Sequence, residues 1–205
     1  LDGVPTAVLV AGEAGIGKSR LLREFQTEVG SRATVLVGWC LDLGTTRTPY
    51  GPLVGILRAL VAELGRDAAW EAVGPGKEAL LRLLPELADD APDPAASSPD
   101  RLRDAIANLV EAAARRGPLV LVVEDLHWAD ESTLAILSFL LRVVADGRLL
   151  VVLSFRTDDV RRGDPVSAFV ASAERARLLD RMTLPRLDAD AVRQLAESIV
   201  GETLD

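Results

Sequence analysis

The chain has 205 residues, 23 basic and 31 acidic, for a formal net charge of −8, and 49% of it is hydrophobic. That balance is that of a globular protein with a full-sized core; it excludes a disordered chain and argues against a stand-alone nucleic-acid binder, because net acidity repels a phosphate backbone. One cysteine, Cys40, excludes an internal disulfide or a thiolate cluster, and one histidine, His127, leaves no basis for a His-built zinc site.

Strand-like apolar runs alternate with amphipathic helical stretches along the chain, which predicts an α/β protein with a mostly parallel sheet. Residues 6–11 (TAVLVA) read as the first strand, followed by a Gly-rich turn and a helix over 17–29. Residues 34–39 form the second strand. After a loop holding Pro49, Gly51 and Pro52, residues 53–64 place Leu53, Ile56, Leu57, Leu60, Val61 and Leu64 on one helical stripe. A short helical stretch covers 77–84. Residues 85–99 carry four prolines among Ala, Asp and Ser and read as an exposed loop within one domain, since the sheet pattern resumes after it. A helix over 100–116 precedes the third strand, 119–123 (LVLVV), whose unbroken apolar run suits burial on both faces. A very apolar helix follows at 131–145, either covered by the rest of the chain or a contact surface for another domain. Then come a fourth strand at 149–155, a polar loop, a helix at 165–177, a short fifth strand at 181–184 and a last helix at 189–200 capped by Asp188. No apolar run reaches the roughly 18 residues of a membrane-spanning helix. The opening Leu-Asp-Gly-Val-Pro has no initiator Met and no basic-then-apolar leader. It reads as a piece of a longer, cytoplasmic protein.

The segment Gly12-Glu13-Ala14-Gly15-Ile16-Gly17-Lys18-Ser19 matches G-x-x-x-x-G-K-[ST], between an apolar strand and a helix. Glycines let such a loop turn its N–H groups inward at phosphate oxygens, and the helix start adds partial positive charge. Lys18 is placed to reach the β- and γ-phosphates, and Ser19 to offer its hydroxyl to Mg²⁺. Only Lys18 and Lys77 among the 23 basic residues are lysine. A chain that otherwise uses arginine has put a compact ammonium where a phosphate site asks for one.

The second signal is LVLVVEDLHWAD, residues 119–130. Glu124 and Asp125 end a buried strand, and the carboxyl ends of parallel strands line the crevice where ligands bind. One acid there can hold Mg²⁺ and another can orient the water that attacks a γ-phosphate. Side chains alternate along a strand, so from a regular strand the two acids serve different jobs.

Together, GEAGIGKSRLL, PYGPLVGILRAL and LVLVVEDLHWAD resemble the ATPase domain of large LuxR-type transcriptional regulators, within the STAND group of AAA+-related P-loop NTPases. The resemblance covers nearly the whole chain. It implies a three-layer P-loop fold with a parallel five-stranded sheet in the order 5-1-4-3-2, flanked by helices. It implies a nucleotide cradle of Gly12, Glu13, Ala14, Gly15, Ile16, Gly17, Lys18, Ser19 and Arg20, with ATP or ADP and Mg²⁺ as ligands. Ser19, Glu124 and Asp125 take the metal side, and Lys18, Glu124, Asp125 and Arg156 the catalytic side. Arg156 falls where the family places a sensor arginine, its fork suited to phosphate. The family more often has Asp where Glu124 stands, which leaves open which acid governs the metal. The resemblance also divides the chain into a nucleotide-binding domain, 1–187, and the start of a helical lid, 188–205, approached through Pro185. The partners it implies are the nucleotide, downstream lid and DNA-binding domains of a parent chain, and a nucleotide-dependent oligomer, with no direct nucleic-acid binding or membrane contact by this piece.

The function this reading leads to is a slowly hydrolysing ATP/ADP switch within a signal-transducing transcriptional regulator. A small-molecule phosphotransferase and a scaffold with a vestigial nucleotide site are the alternatives. Arg175 and Arg177, ending a helix, suit either its dipole or a finger reaching a neighbour's γ-phosphate. Trp128 is expected to pack under the acidic loop. His127 either shapes that loop or is simply exposed, and Cys40 is expected to be a buried, inert thiol.

Overall fold

A computed structural model describes residues 6–42, 49–89, 98–158 and 163–201. Its five strands are β1 (Thr6–Gly12), β2 (Thr34–Trp39), β3 (Leu119–Glu124), β4 (Leu149–Arg156) and β5 (Asp180–Thr183). The eight α-helices among the described residues are α1 (Lys18–Val29), α2 (Gly51–Leu64), α3 (Arg66–Val73), α4 (Lys77–Leu81), α5 (Pro99–Arg116), α6 (Glu131–Val143), α7 (Pro165–Arg175) and α8 (Ala189–Val200). The strands form one parallel sheet in the order β2-β3-β4-β1-β5. Read from the other edge, this is 5-1-4-3-2, the order expected.

That order decides which helix lies on which face. The step from β1 to β2 crosses two strands in one direction, and every later step runs back the other way. Parallel crossovers are right-handed, so α1 lies alone on one face and the remaining crossover helices lie on the other. The side chains agree. Val10, Val120, Val122 and Val152 of the strands pack with Leu22 and Phe25 of α1. Leu9, Leu121, Val123, Leu153 and Phe155 pack into the larger core built with α2, α3, α5, α6 and α7. Alternation along each strand feeds both layers, and for this reason the third strand reads as an unbroken apolar run.

Most elements lie within two residues of their expected bounds. Four details differ. Helix α3, RDAAWEAV at 66–73, is too short to stand alone and is held because Ala69 and Val73 are buried against the helical layer. Helix α4 stops at Leu81, short of 84, because Leu83 and Leu84 N–H both fold back on the Leu80 carbonyl as the chain runs into Pro85. Strand β3 extends one residue further, so that Glu124 is its last member. The proline-rich loop expected at 85–99 begins with a turn of 3₁₀ helix, Pro85–Leu87, and its residues 90–97 lie outside the described ones.

Helix α6, apolar nearly all round, is covered by the chain itself over most of its length, with Val143 exposed at its end. Leu134, Ile136, Leu137 and Leu140 are buried in the main core, with Phe139 and Leu141 packed at its rim. Helix α2 sits so close on β2 that a Cβ at Gly38 would lie 2.1 Å from the Pro52 carbonyl oxygen. The PYGPL segment is therefore a packing element, with Tyr50 in the left-handed region and Pro52 in the first turn of α2. No described helix is long and apolar enough to cross a membrane.

Candidate nucleotide site at the carboxyl edge of the sheet

The loop from Gly12 to Lys18 leaves β1 at the carboxyl edge of the sheet. Gly15 and Gly17 hold φ of 74° and 107°, a region that costs a side-chain-bearing residue strain. Gly17 occupies the cap position of α1, where a residue without a side chain offers no oxygen to the first-turn N–H groups. The first bond of the helical ladder is Leu21 N–H to the Gly17 carbonyl, 2.9 Å, so the N–H groups of Lys18, Ser19 and Arg20 lie ahead of it. The result is a backbone turn whose N–H groups are available to an anion.

Lys18 is 6% exposed, and its ammonium donates to the Gly12 carbonyl at 2.9 Å and the Glu13 carbonyl at 2.7 Å. Both acceptors belong to the loop, so the charge is held at the rim of the turn. Glu13, Ala14, Gly15, Gly17, Ser19 and Arg20 are exposed, and Ile16 half-buried, in line with a cradle open on one side.

Two strands away, β3 ends on Glu124, buried at 6% exposure. The next residue breaks the alternation that would have sent its side chain to the opposite face. Asp125 sits at φ 57°, ψ 47°, a conformation tolerated by Asp more than by most residues. Its N–H donates to Ser154 Oγ of the intervening strand at 3.2 Å. Both acids therefore end at the same edge, one as the strand's final residue and one on the turn after it.

Strand β4 lies between β1 and β3 and completes the site. Arg156 pairs in register with Gly12, and Thr157 N–H donates to the Gly12 carbonyl at 3.3 Å. The Arg156 Nε lies 3.8 Å from Asp125 Oδ1. Sheet order, with the turns that follow β1 and β3, thus brings Gly12, Lys18, Glu124, Asp125 and Arg156 to one edge.

Sequence reasoning missed three participants. Ser154, 1% exposed, anchors the turn at Asp125; a lone hydroxyl inside LLVVLSF was the available signal. Asp158 accepts from the Ala14 N–H at 3.4 Å, across the mouth of the loop. Its carboxyl lies below the ordinary 3.8, first through a hydrogen bond from its own backbone, then through Ala14 and the charges of Lys18 and Arg156, which outweigh the opposing effect of desolvation. Arg186, between β5 and α8, donates from Nε to Glu13 Oε2 at 3.0 Å; nothing in the sequence pattern pointed to it.

His127 is not exposed. It is 4% exposed, in a turn of 3₁₀ helix over Leu126–Trp128, with Nδ1 4.0 Å from Asp125 Oδ1 and its ring tilted against Trp128. Trp128 packs against the main core under this turn, and Cys40 is buried. Arg177 stands at the opposite edge of the sheet, in a cleft with Thr6, Leu149 and Asp180 at the starts of three strands. Neither it nor Arg175 can act on this chain's own loop.

A metal at this edge would have oxygen donors only, from Ser19, Glu124 and Asp125. No described cluster of three or more His, Cys, Asp or Glu could hold a metal unaided. Such a donor set fits Mg²⁺ brought in with phosphate oxygens, which keeps few protein ligands.

The family model described as the AAA ATPase domain matches residues 1–152. An uncharacterized protein of Rhizobium meliloti (strain 1021) is 33% identical over 172 residues, 76% of this chain. The chain spans only 17% of that relative's length. Among solved structures, a STAND protein with a tetratricopeptide repeat sensor from Pyrococcus horikoshii superposes with TM-score 0.53 at 13% identity, over 98% of this chain and 24% of that one. A chain from the structure of Drosophila ORC bound to DNA gives TM-score 0.51 at 18% identity, over 90% of this chain and 83% of that one. At such identities the likeness shows the fold alone.

Proposed function

The chain belongs to the AAA ATPase domain family, and from that premise we propose that it is an ATP- and ADP-binding switch module that hydrolyses ATP slowly. The observation that carries this is the single edge at which a glycine turn, the Lys18 ammonium, two strand-end acids and Arg156 meet.

The roles follow from where charge must be held. The backbone turn of residues 12–20 cradles the phosphates. Lys18 exchanges its loop carbonyls for phosphate oxygens, a trade favoured because a charge-assisted bond to an oxyanion is stronger than one to a neutral carbonyl. Ser19 and one of the two acids would hold Mg²⁺, which would supply neutralisation of charge on the phosphate oxygens. Glu124, buried and last on its strand, orients the attacking water. Arg156 is held near Asp125 and within the same edge, so a γ-phosphate competes with that carboxylate for its fork. A ligand shifts a conformational balance only through contacts that differ between states. Arg156 and Lys18 supply that difference between ATP and ADP.

Residues 1–187 form the nucleotide-binding domain in this reading, and α8 starts a lid. The exposed apolar side chains Val192, Ile199 and Val200 on α8 support that division. The wider setting is a cytoplasmic, signal-transducing transcriptional regulator of the LuxR type, with lid and DNA-binding domains elsewhere in a parent chain and an oligomer that depends on nucleotide. The motifs GEAGIGKSRLL, PYGPLVGILRAL and LVLVVEDLHWAD support that setting.

The test is calorimetric titration of ADP and ATP, with and without Mg²⁺, into wild type and Lys18→Ala. Micromolar binding, about −8 kcal/mol, exceeds what an adventitious anion contact on an acidic protein supplies. Such binding in wild type, lost by tenfold or more in the variant (order of magnitude for a charge-assisted bond), is the expected result. Binding that ignores Lys18, or no binding at all, overturns the reading.

A further inference from the structure

The mouth of the phosphate loop already holds an anion. Asp158, two residues beyond Arg156, reaches back across the edge, and its Oδ2 accepts from the Ala14 N–H at 3.4 Å. Ala14 is the third residue of the loop, on the rim beside Glu13, whose carbonyl holds the Lys18 ammonium. The cations that feel the Asp158 charge are Lys18 and Arg156. They are the same two that the proposed switch assigns to a terminal phosphate. Asp125 also draws on that arginine, its Oδ1 lying 3.8 Å from the Arg156 Nε. The N–H groups at the start of α1, ahead of the first helical bond, form a separate part of the turn that would take the inner phosphates.

We propose that Asp158 sets the preference between nucleoside di- and triphosphates, its carboxylate competing with the terminal phosphate for the Ala14 N–H, Lys18 and Arg156 and so favouring ADP over ATP. This rests on the nucleotide-switch reading and deepens it. A 3.4 Å hydrogen bond is long, and an incoming oxyanion can replace it. Displacing the carboxylate leaves a negative charge beside a more strongly negative phosphate, a repulsion that ADP does not meet. The side chain is exposed, so the effect is modest and screened by salt. At neutral pH the carboxylate is fully ionised, because its pKa lies below an already low ordinary value.

The test measures ADP and a non-hydrolysable ATP analogue, each with Mg²⁺, against wild type, Asp158→Asn, Asp158→Ala and Asp146→Asn. The last removes a charge next to Gly147, at the start of β4 and the far edge of the sheet. The expected result is ATP-analogue affinity raised about three- to tenfold in both Asp158 variants, with ADP affinity held within about twofold and the gain shrinking in about 1 M salt. Asp146→Asn should leave both affinities as in wild type. An unchanged or weakened ATP analogue in Asp158→Asn overturns the inference while the switch stands. So does loss of both nucleotides in Asp158→Ala with both retained in Asp158→Asn, because the side chain would then only prop the loop. A gain in Asp146→Asn equal to that in Asp158→Asn also overturns it, by making net charge the cause. Wild type that binds neither nucleotide overturns the switch reading and this one together.

Discussion

At Asp125 the backbone turns left-handed immediately after a buried strand, and one residue's conformation decides how two acids can be used. Strand alternation would have parted Glu124 from Asp125; the turn, pinned by Ser154, keeps both at the edge. Glu124 ends the strand and is buried, and in the proposed switch it orients the attacking water. Glu124→Gln keeps the shape and removes the charge. It is expected to lower the turnover of ATP by about a hundredfold or more while changing the ATP dissociation constant little, the signature of an interaction used only in the transition state. Single-turnover hydrolysis beside equilibrium binding measures both. Parallel loss of binding would instead make Glu124 the metal's anchor.

Helices are set at this edge by their caps. Asp130 accepts from the Thr133 N–H at 3.0 Å and also from the Thr133 hydroxyl, with Thr133 fully buried. Asp188 makes the corresponding bond to the Ala191 N–H at 2.8 Å, but on an exposed helix. Asp130→Ala should therefore cost about 2 kcal/mol or more, the cap together with a stranded buried hydroxyl. Asp188→Ala should barely move the global unfolding transition. Urea titration of the two variants separates them, and equal losses would mean that burial at Asp130 adds nothing. The contact between α2 and β2 gives a second prediction. Gly38→Ala would drive a methyl into the Pro52 carbonyl, a backbone atom that cannot turn aside. A loss of about 2 kcal/mol or more is expected by the same titration, as overpacking of a close contact.

Across the whole molecule the surface charge responds to pH through carboxylates held by partners. Glu86 lies below its ordinary 4.5, first through its own backbone hydrogen bond and then through Arg58, and Asp158 lies below 3.8. A depressed carboxylate binds fewer protons folded than unfolded, so its contribution is present above the unfolded pKa and fades as pH falls through the folded one. Stability from these two groups should hold from neutral pH to about 5 and decline below about 4.5. Both are exposed, so the decline is gentle. Glu86→Gln should be slightly less stable than wild type at pH 7, with the gap closing by about pH 3. A gap that persists in acid would show that the glutamate's packing, not its charge, was lost.

Much of the architecture was legible in the chain because it follows from local periodicity. Apolar runs of strand length alternating with helical stripes made an α/β protein, and β2 and α8 fall on their expected bounds. The loop from Gly12 to Ser19 was legible for the same reason, since glycine turn, lysine and helix start are all local. The short helix α3 was not, because eight residues are marginal alone and its stability comes from Ala69 and Val73 buried by distant neighbours, which local pattern does not record. Nor were the members of the site that lie far apart in the chain. Asp158 and Arg186 meet the loop across 144 and 173 residues, and their own neighbours carry no sign of it. Hydrogen-bonding capacity is written in a residue's type, but its partner is chosen by which strands lie side by side. Sequence alone therefore determined the layers, the phosphate loop and the acidic strand end. Only the tertiary structure decided that Asp158 and Arg186 stand over that loop, because their partners depend on how the segments after β4 and β5 lie beside the end of β1.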